Sequence, residues 1–397
     1  MQQIAGVSRK RIESIDILRG LVMVIMALDH ARDYFHASGD PLDLATTTPF
    51  LFFTRWITHF CAPIFVFLSG TSVYLQSLRK SKKALQSFLI KRGLWLIFIE
   101  VVIITFAWTF NPHYNITVLQ VIWAIGISMV LLGLLITLPF NAILTIGLVI
   151  VFAHNLLDIP ESATGFKAGF WWDLLHHGFF ARYPIDQNHT LIILYPFVPW
   201  TGLMMLGYCS GVFFSEKYSF DYRRRILTLT GIGMLTFFIA IRFTNVYGDP
   251  QPWSTQKSTL FTALSFINVN KYPPSLMYTC VTIGVAFLLL ALFENIQNGF
   301  TRVLRIYGRV PFFYYVLHLY LLHLVSPIFV IAQGHTWAQA TTIGNNLPFY
   351  FLAADDGYSL LTTYVVWISV VIALFPLCKW FNTYKTNHRE KWWLGYL

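Results

Sequence analysis

SIDILRGLVMVIMALDHARDYFHAS, residues 14–38, decides how the rest of the chain is read. It enters with Asp16 and Arg19, runs through eight uncharged residues (Leu21 to Leu28), and ends in Asp29, His30, Arg32, Asp33 and His36. The apolar run and its flanks predict a first membrane helix. At 100° per residue, Arg19 and His30 are three turns and about 20° apart, so both project from nearly one face, roughly 16 Å apart along the axis. Ionisable groups at membrane depth are expensive and tend to face an interior cavity, which makes this face a candidate site. A polar network that locks the helix to its neighbours is the competing reading.

Working outward, the composition agrees. The 397 residues are 56% hydrophobic and 12% charged, about half the charged share usual in soluble domains. Apolar blocks near twenty residues long recur, the length that spans a bilayer. The sequence predicts an all-α, polytopic membrane helix bundle in a single domain, 1–397, of about ten transmembrane helices. The expected spans are 16–36, 58–78, 91–110, 117–138, 140–158, 191–214, 226–246, 274–294, 310–332 and 360–379. Arg9, Lys10 and Arg11 before an apolar run imitate a secretory signal, but Asp16 and Arg19 interrupt it and Phe35-His36-Ala37 makes a poor cleavage site. The first span is therefore expected to stay.

The net charge of +10 marks topology and not nucleic acid, because the basic residues fall between apolar blocks. With the N-terminus inside, 21 of the 28 Lys and Arg lie on inner segments, which predicts both termini on the cytoplasmic side. The orientation depends on 117–138 and 140–158 being two helices; one broken helix would invert everything after it. The outer connections 37–57, 159–190, 247–273 and 333–359 are long and rich in aromatics, Gly, Pro, Asp and His. Within them, 169–186 reads as a short helix lying in the interface, with His176 and His177 structural. The cysteines Cys61, Cys209, Cys280 and Cys378 are far apart and read as small buried apolar residues.

The segments also carry a resemblance. IDILRG followed by a His eleven residues after its Arg resembles the start of the superfamily of multi-pass membrane acyltransferases. The acyltransferase-3 branch has an Arg-x10-His signature, matched by Arg19 and His30. The heparan-α-glucosaminide N-acetyltransferase family is similar at SIDILRG, YFHAS, PIFVFLSGTSVYL and NITVLQVIWAIGIS. Its bacterial members resemble the chain further, at DHARDYFH, TRWITHFCAPIFVFLSG, YPFVPWTGLMMLGY, KYPPSL and GRVPFFYYVLHLYLLH. The resemblance implies acetyl (acyl) transfer from cytoplasmic acetyl-CoA to an amino sugar or other carbohydrate at the outer face of a bacterial inner membrane.

Acyl transfer needs a base for the acceptor proton and, in some mechanisms, a nucleophile. His30 fills either role near neutral pH. Asp33, three residues on, is expected to orient its imidazole. Asp29 joins the catalytic set, with Arg32 as its i,i+3 partner. His36 competes. By the resemblance, the glucosaminide enzyme has Asn at the position of His30 and its catalytic His in a context like that of His36, with five more residues between. Both histidines stay as candidates, His30 as base or nucleophile and His36 as acceptor-side partner. For the donor phosphates the candidates are Arg19, Arg309 and Arg92, with Lys91 and Arg305 beside them. For the acceptor they are Arg32, Arg55, His59, Lys271 and His318. Gln120 and Trp123 begin the fourth helix, and His323 is five residues from His318, off its face. No metal spacing appears, so the expectation is acetyl-CoA as the donor substrate, no metal and no nucleic acid. Beyond donor, acceptor and bilayer, a homodimer is left open. The alternative function is a transporter or exporter that uses the charged face as its path. The acceptor itself is beyond what residue patterns name.

Overall fold

The structure, a computed structural model, describes residues 11–37, 39–341, 349–352, 357–388 and 390–395. Arg9, Lys10, Ser38, Arg389, Leu397 and parts of the 333–359 connection lie outside the described residues. The main helices run in chain order as α1 (Glu13–Phe35), α2 (Pro49–Ser77), α3 (82–109), α4 (Val121–Leu135), α5 (Phe140–Glu161), α6 (Phe197–Phe214), α7 (Phe220–Thr244), α8 (Leu276–Phe293), α9 (Gly299–Arg309), α10 (Pro311–Ala332) and α11 (Leu360–Asn387). Among the described residues, seven helices are long and apolar enough to cross a membrane: α2, α5, α6, α7, α8, α10 and α11. α4 is apolar too but has 15 residues, about 22 Å. The chain is an all-α polytopic bundle; the expectation of ten spans adds α1, α3 and α4 to the seven.

Local chemistry sets the helix starts. Ser81, Ser219, Ser275 and Ser359 each accept an amide of the first turn, from Ala84, Tyr222, Tyr278 and Thr362. Each cap satisfies an N–H that has no partner within its helix. Glycine sets the closest packing. A Cβ on Gly20 would fall 1.8 Å from the Leu304 carbonyl oxygen, and one on Gly308 1.8 Å from that of Asp16. α1 and α9 therefore touch backbone to backbone. α2 and α6 meet in the same way at Gly70 and Gly207. Small residues permit such approach where lipid supplies no hydrophobic drive between helices.

α4 and α5 are two helices joined by a reversing turn and not one broken helix. Lys82 Nζ donates to the Thr137 carbonyl at 3.0 Å, so the α4–α5 turn sits beside the start of α3. α5 returns to the opposite end, where Asn155 Oδ1 accepts the Leu276 amide at 2.9 Å. Arg11 and Gly395 line one cavity, so both described chain ends share one end of the bundle, together with Arg79, Lys80 and Arg92.

The other end departs from the expected spans. Residues 116–119 and 190–193, read as helix or helix edge, are strands β1 (Ile116–Leu119) and β3 (Thr190–Ile193). They pair in parallel, with β2 (Ala181–Pro184) antiparallel to β3. The interface helix expected over 169–186 is correspondingly short. Only Phe170–Trp172 and Asp173–His177 are helical, and the Gly178 amide closes the turn on the Asp173 carbonyl at 2.9 Å. Backbone groups outside a helix at this depth need partners, and a three-stranded patch supplies them.

Candidate active site

The Asp29–Asp33 end of α1 is the centre of the site. His30 is 9% exposed, and its Nδ1 lies 2.7 Å from His318 Nε2 on α10. His318 Nδ1 lies 2.9 Å from the Tyr314 carbonyl oxygen, one turn back. A carbonyl only accepts, so in the neutral pair the His318 proton sits on Nδ1 and its Nε2 is an acceptor. His30 then donates from Nδ1, and its lone pair is left on Nε2. This assignment follows from the bonding pattern. It leaves Nε2 as the His30 atom with a lone pair that could accept a proton or attack. Trp108 of α3 and Tyr315 of α10 stand edge-on to the imidazole, with ring centroids at 4.9 and 6.1 Å.

The expected partner of His30 was Asp33, and here the structure corrects the sequence reading. The Asp33 carboxylate binds Arg32 at 2.5 Å and is 39% exposed. It is taken up by that guanidinium and by water, and among the described residues no hydrogen bond joins it to His30. Asp29 is engaged by two cations. Its two oxygens hold Arg55 at 2.8 Å and Arg32 at 3.1 Å. A carboxylate gripped by two guanidiniums is a poor proton acceptor and a good clamp.

That clamp gathers most of the expected acceptor residues. Arg55 also reaches Thr58 Oγ1 at 3.0 Å. Lys271 is buried within electrostatic reach of Asp29, with its ammonium 4.9 Å over the Tyr272 ring. Burial raises the pKa of the Tyr272 hydroxyl, but Lys271 and Arg55 outweigh it, so the hydroxyl lies below its usual range. His59 sits on the 3₁₀ turn Ile57–Phe60 inside α2. It is 1% exposed, and neither ring nitrogen has a hydrogen-bond partner among the described residues. Buried polar groups are normally satisfied, so this open pair of nitrogens is a signal in itself. His36 lies apart: its Nδ1 is 3.1 Å from the Tyr358 carbonyl where the chain leaves α1.

Arg19 stands at the opposite end of α1. It bonds Ser72 Oγ at 3.0 Å, and Asp16 and the Gly308 carbonyl at 3.4 Å. A cavity of about 1480 Å³ opens here, lined by Arg11, Arg19, Arg79, Lys80, Arg92, Arg309 and Lys385 against only Asp16 and Glu216. It follows the α1 stripe Arg19, Met23 and Met26, becomes apolar at Leu96, Val121, Ile122 and Ile125, and reaches Tyr315. His30 is the next residue of that stripe. The three expected donor residues Arg19, Arg92 and Arg309 thus share one cavity. Lys91 is exposed, and Arg305 pairs with Glu13 at 2.6 Å; neither lines it.

Sequence reasoning missed Trp108, Tyr315 and Glu100. Glu100 is fully buried, opens a π-helical turn (Glu100–Ile104), and accepts the Trp123 amide at 2.8 Å on Oε2, while Oε1 has no hydrogen-bond partner among the described residues. Its signal was legible: one carboxylate alone in an apolar run. Trp108 had none, being one aromatic among many. His323, expected off the face of His318, lies against the Ala107 and Tyr350 carbonyls at 2.8 Å. At the loop end, Asp158, Glu161 and His176 bring ligand atoms within 4.8 Å of one another, a grouping the linear spacing hides. Hydrogen bonds already engage it, from Asn155 to Asp158 and from Trp172 and His176 to Glu161, each at 2.7 Å.

The family model for the heparan-alpha-glucosaminide N-acetyltransferase catalytic domain matches residues 11–244, more than half of the chain. The match covers α1 to α7 and so includes Arg19, His30, Arg55, His59, Arg92 and Trp108. A comparison with curated proteins finds no match.

Proposed function

The chain belongs to the heparan-alpha-glucosaminide N-acetyltransferase family, and on that premise we propose that it moves the acetyl group of acetyl-CoA across a bacterial inner membrane. The donor enters from the cytoplasmic side, and the acceptor is an amino sugar or other carbohydrate at the outer face. The cavity carries this reading. Its mouth is crowded with guanidinium and ammonium groups, which suit phosphates. Its shaft is apolar and suits a pantetheine arm, and its far end lies against Tyr315, beside His30. The inner excess of Lys and Arg supports the sidedness, and the family match gives no support to a transporter.

In this reading the acceptor amine attacks the thioester carbonyl while His30 Nε2 takes its proton. The carbon–sulfur bond then breaks, and the imidazolium returns the proton to the departing thiolate. His318 holds the ring in the tautomer that leaves Nε2 free. Asp29 fixes Arg55 and Arg32, which with His59 and Lys271 line the acceptor side. His36 stands at the outer mouth.

Binding of radiolabelled CoA to the purified protein tests the donor site. Arg19→Ala should weaken it by about ten- to a hundred-fold, the loss of one charge-assisted contact worth roughly 1.5–3 kcal/mol. An unchanged affinity in a folded variant rules the cavity out as the donor site.

A further inference from the structure

Attack on a thioester drives negative charge onto the carbonyl oxygen, and the residues assigned so far do not meet it. His30 handles the proton, and Asp29 carries the wrong sign. The oxygen needs hydrogen-bond donors fixed in advance beside His30.

We propose that the Trp108 indole N–H, with the Tyr315 hydroxyl next to it, forms the oxyanion-stabilising site of the transfer. Both rings stand at 75° to the His30 imidazole. Among the described residues the buried Trp108 Nε1–H makes no well-formed hydrogen bond; the Tyr315 hydroxyl is in loose contact with it, and a donor so poorly satisfied costs free energy unless a ligand completes it. The Tyr315 hydroxyl faces that indole, and Tyr315 closes the far end of the donor cavity. The indole is held from behind. It stacks on Tyr34 at 5.4 Å with 9° between planes, and the Tyr34 hydroxyl bonds the Ala107 and Trp108 carbonyls at 3.2 and 3.3 Å. The π-helical turn at Glu100–Ile104 sets the rotation of the following turn, which carries Trp108. A rigid indole N–H only loosely engaged by Tyr315, edge-on to the base and next to the residue that ends the donor channel, matches what an oxyanion requires. It adds no reactant: the oxyanion's electron pair re-forms the carbonyl, and the charge departs on the thiolate, which takes the proton from His30.

The assignment rests on the acetyl group reacting at His30, and the test separates the two. Trp108→Phe keeps a ring and removes the N–H; Tyr315→Phe removes the hydroxyl. Steady-state kinetics with acetyl-CoA and glucosamine should show kcat about 10²–10³-fold lower for Trp108→Phe. CoA affinity and the acceptor KM should stay as in the parent, and Tyr315→Phe should show the same split with a smaller loss. A normal kcat in Trp108→Phe overturns the proposal, as does a kcat loss matched by an equal loss of CoA affinity, which would mark a packing role. His30→Ala is run beside them. If it turns over normally, acetyl chemistry is not at His30 and the proposal falls with the site. If it is dead while Trp108→Phe is normal, only the oxyanion assignment fails.

Discussion

At the scale of single residues, the tautomer of the His30–His318 pair comes from a carbonyl. Tyr314 O determines which His318 nitrogen carries the proton, and that nitrogen determines the free nitrogen of His30. Removing His318 should therefore lower turnover without touching the donor. His318→Ala is expected to reduce kcat by about 10–100-fold, the usual size for a partner that only orients a histidine. His318→Gln, whose amide oxygen can accept from His30 Nδ1–H, should recover part of the loss. CoA binding measured on both variants should match the parent, and a fully active His318→Ala would mean that the pair is structural. His36→Ala should behave differently. Its ring is tied to Tyr358 at the rim, so its loss should raise the acceptor KM more than it lowers kcat. The reverse pattern, with a dead His36→Ala and an active His30→Ala, would move the base to His36.

At the scale of elements, α1 is positioned by α9. Gly20 and Gly308 let these helices touch, which brings Arg309 to 3.5 Å from Asp16 at the mouth of the cavity. Gly308→Ala places a methyl against the Asp16 carbonyl and must push α9 away. The expected cost is about 1–3 kcal/mol, as for other overpacked contacts, read as a lower melting temperature in detergent together with weaker CoA binding. Gly233→Ala is the control: nothing lies within 4 Å of the added methyl, so stability should hold or rise slightly. Equal melting temperatures for the two variants would show that the glycine contact does not hold the helices together.

At the scale of the whole molecule, the two ends of the bundle differ in kind. One carries the basic cavity and both described chain ends; the other carries the small sheet, the aromatic loops and the Asp29 clamp. Chain ends that share one side require an even number of crossings, as ten would be. A reporter fused after Leu397 should therefore report a cytoplasmic location in bacterial cells, and an external signal would reverse the sidedness and remove the route for cytoplasmic acetyl-CoA.

The sequence by itself determined the helical class and the stripe from Arg19 to His30, because both depend on local periods. A bilayer requires runs of apolar residues whose backbone bonds close within the run, and a helix repeats every 3.6 residues. A lone charge in such a run is likewise visible, as Arg55 and the overlooked Glu100 show. Only the tertiary structure decided who touches whom. His30 takes His318, 288 positions away, in place of Asp33 three positions away. Asp33 has water within reach and a guanidinium beside it, while the buried imidazole can use only what neighbouring helices bring. Trp108 became conspicuous for the same reason. Its residue type is ordinary in a chain with 13 tryptophans; a poorly satisfied N–H beside Tyr315 and His30 is a property of the packed bundle.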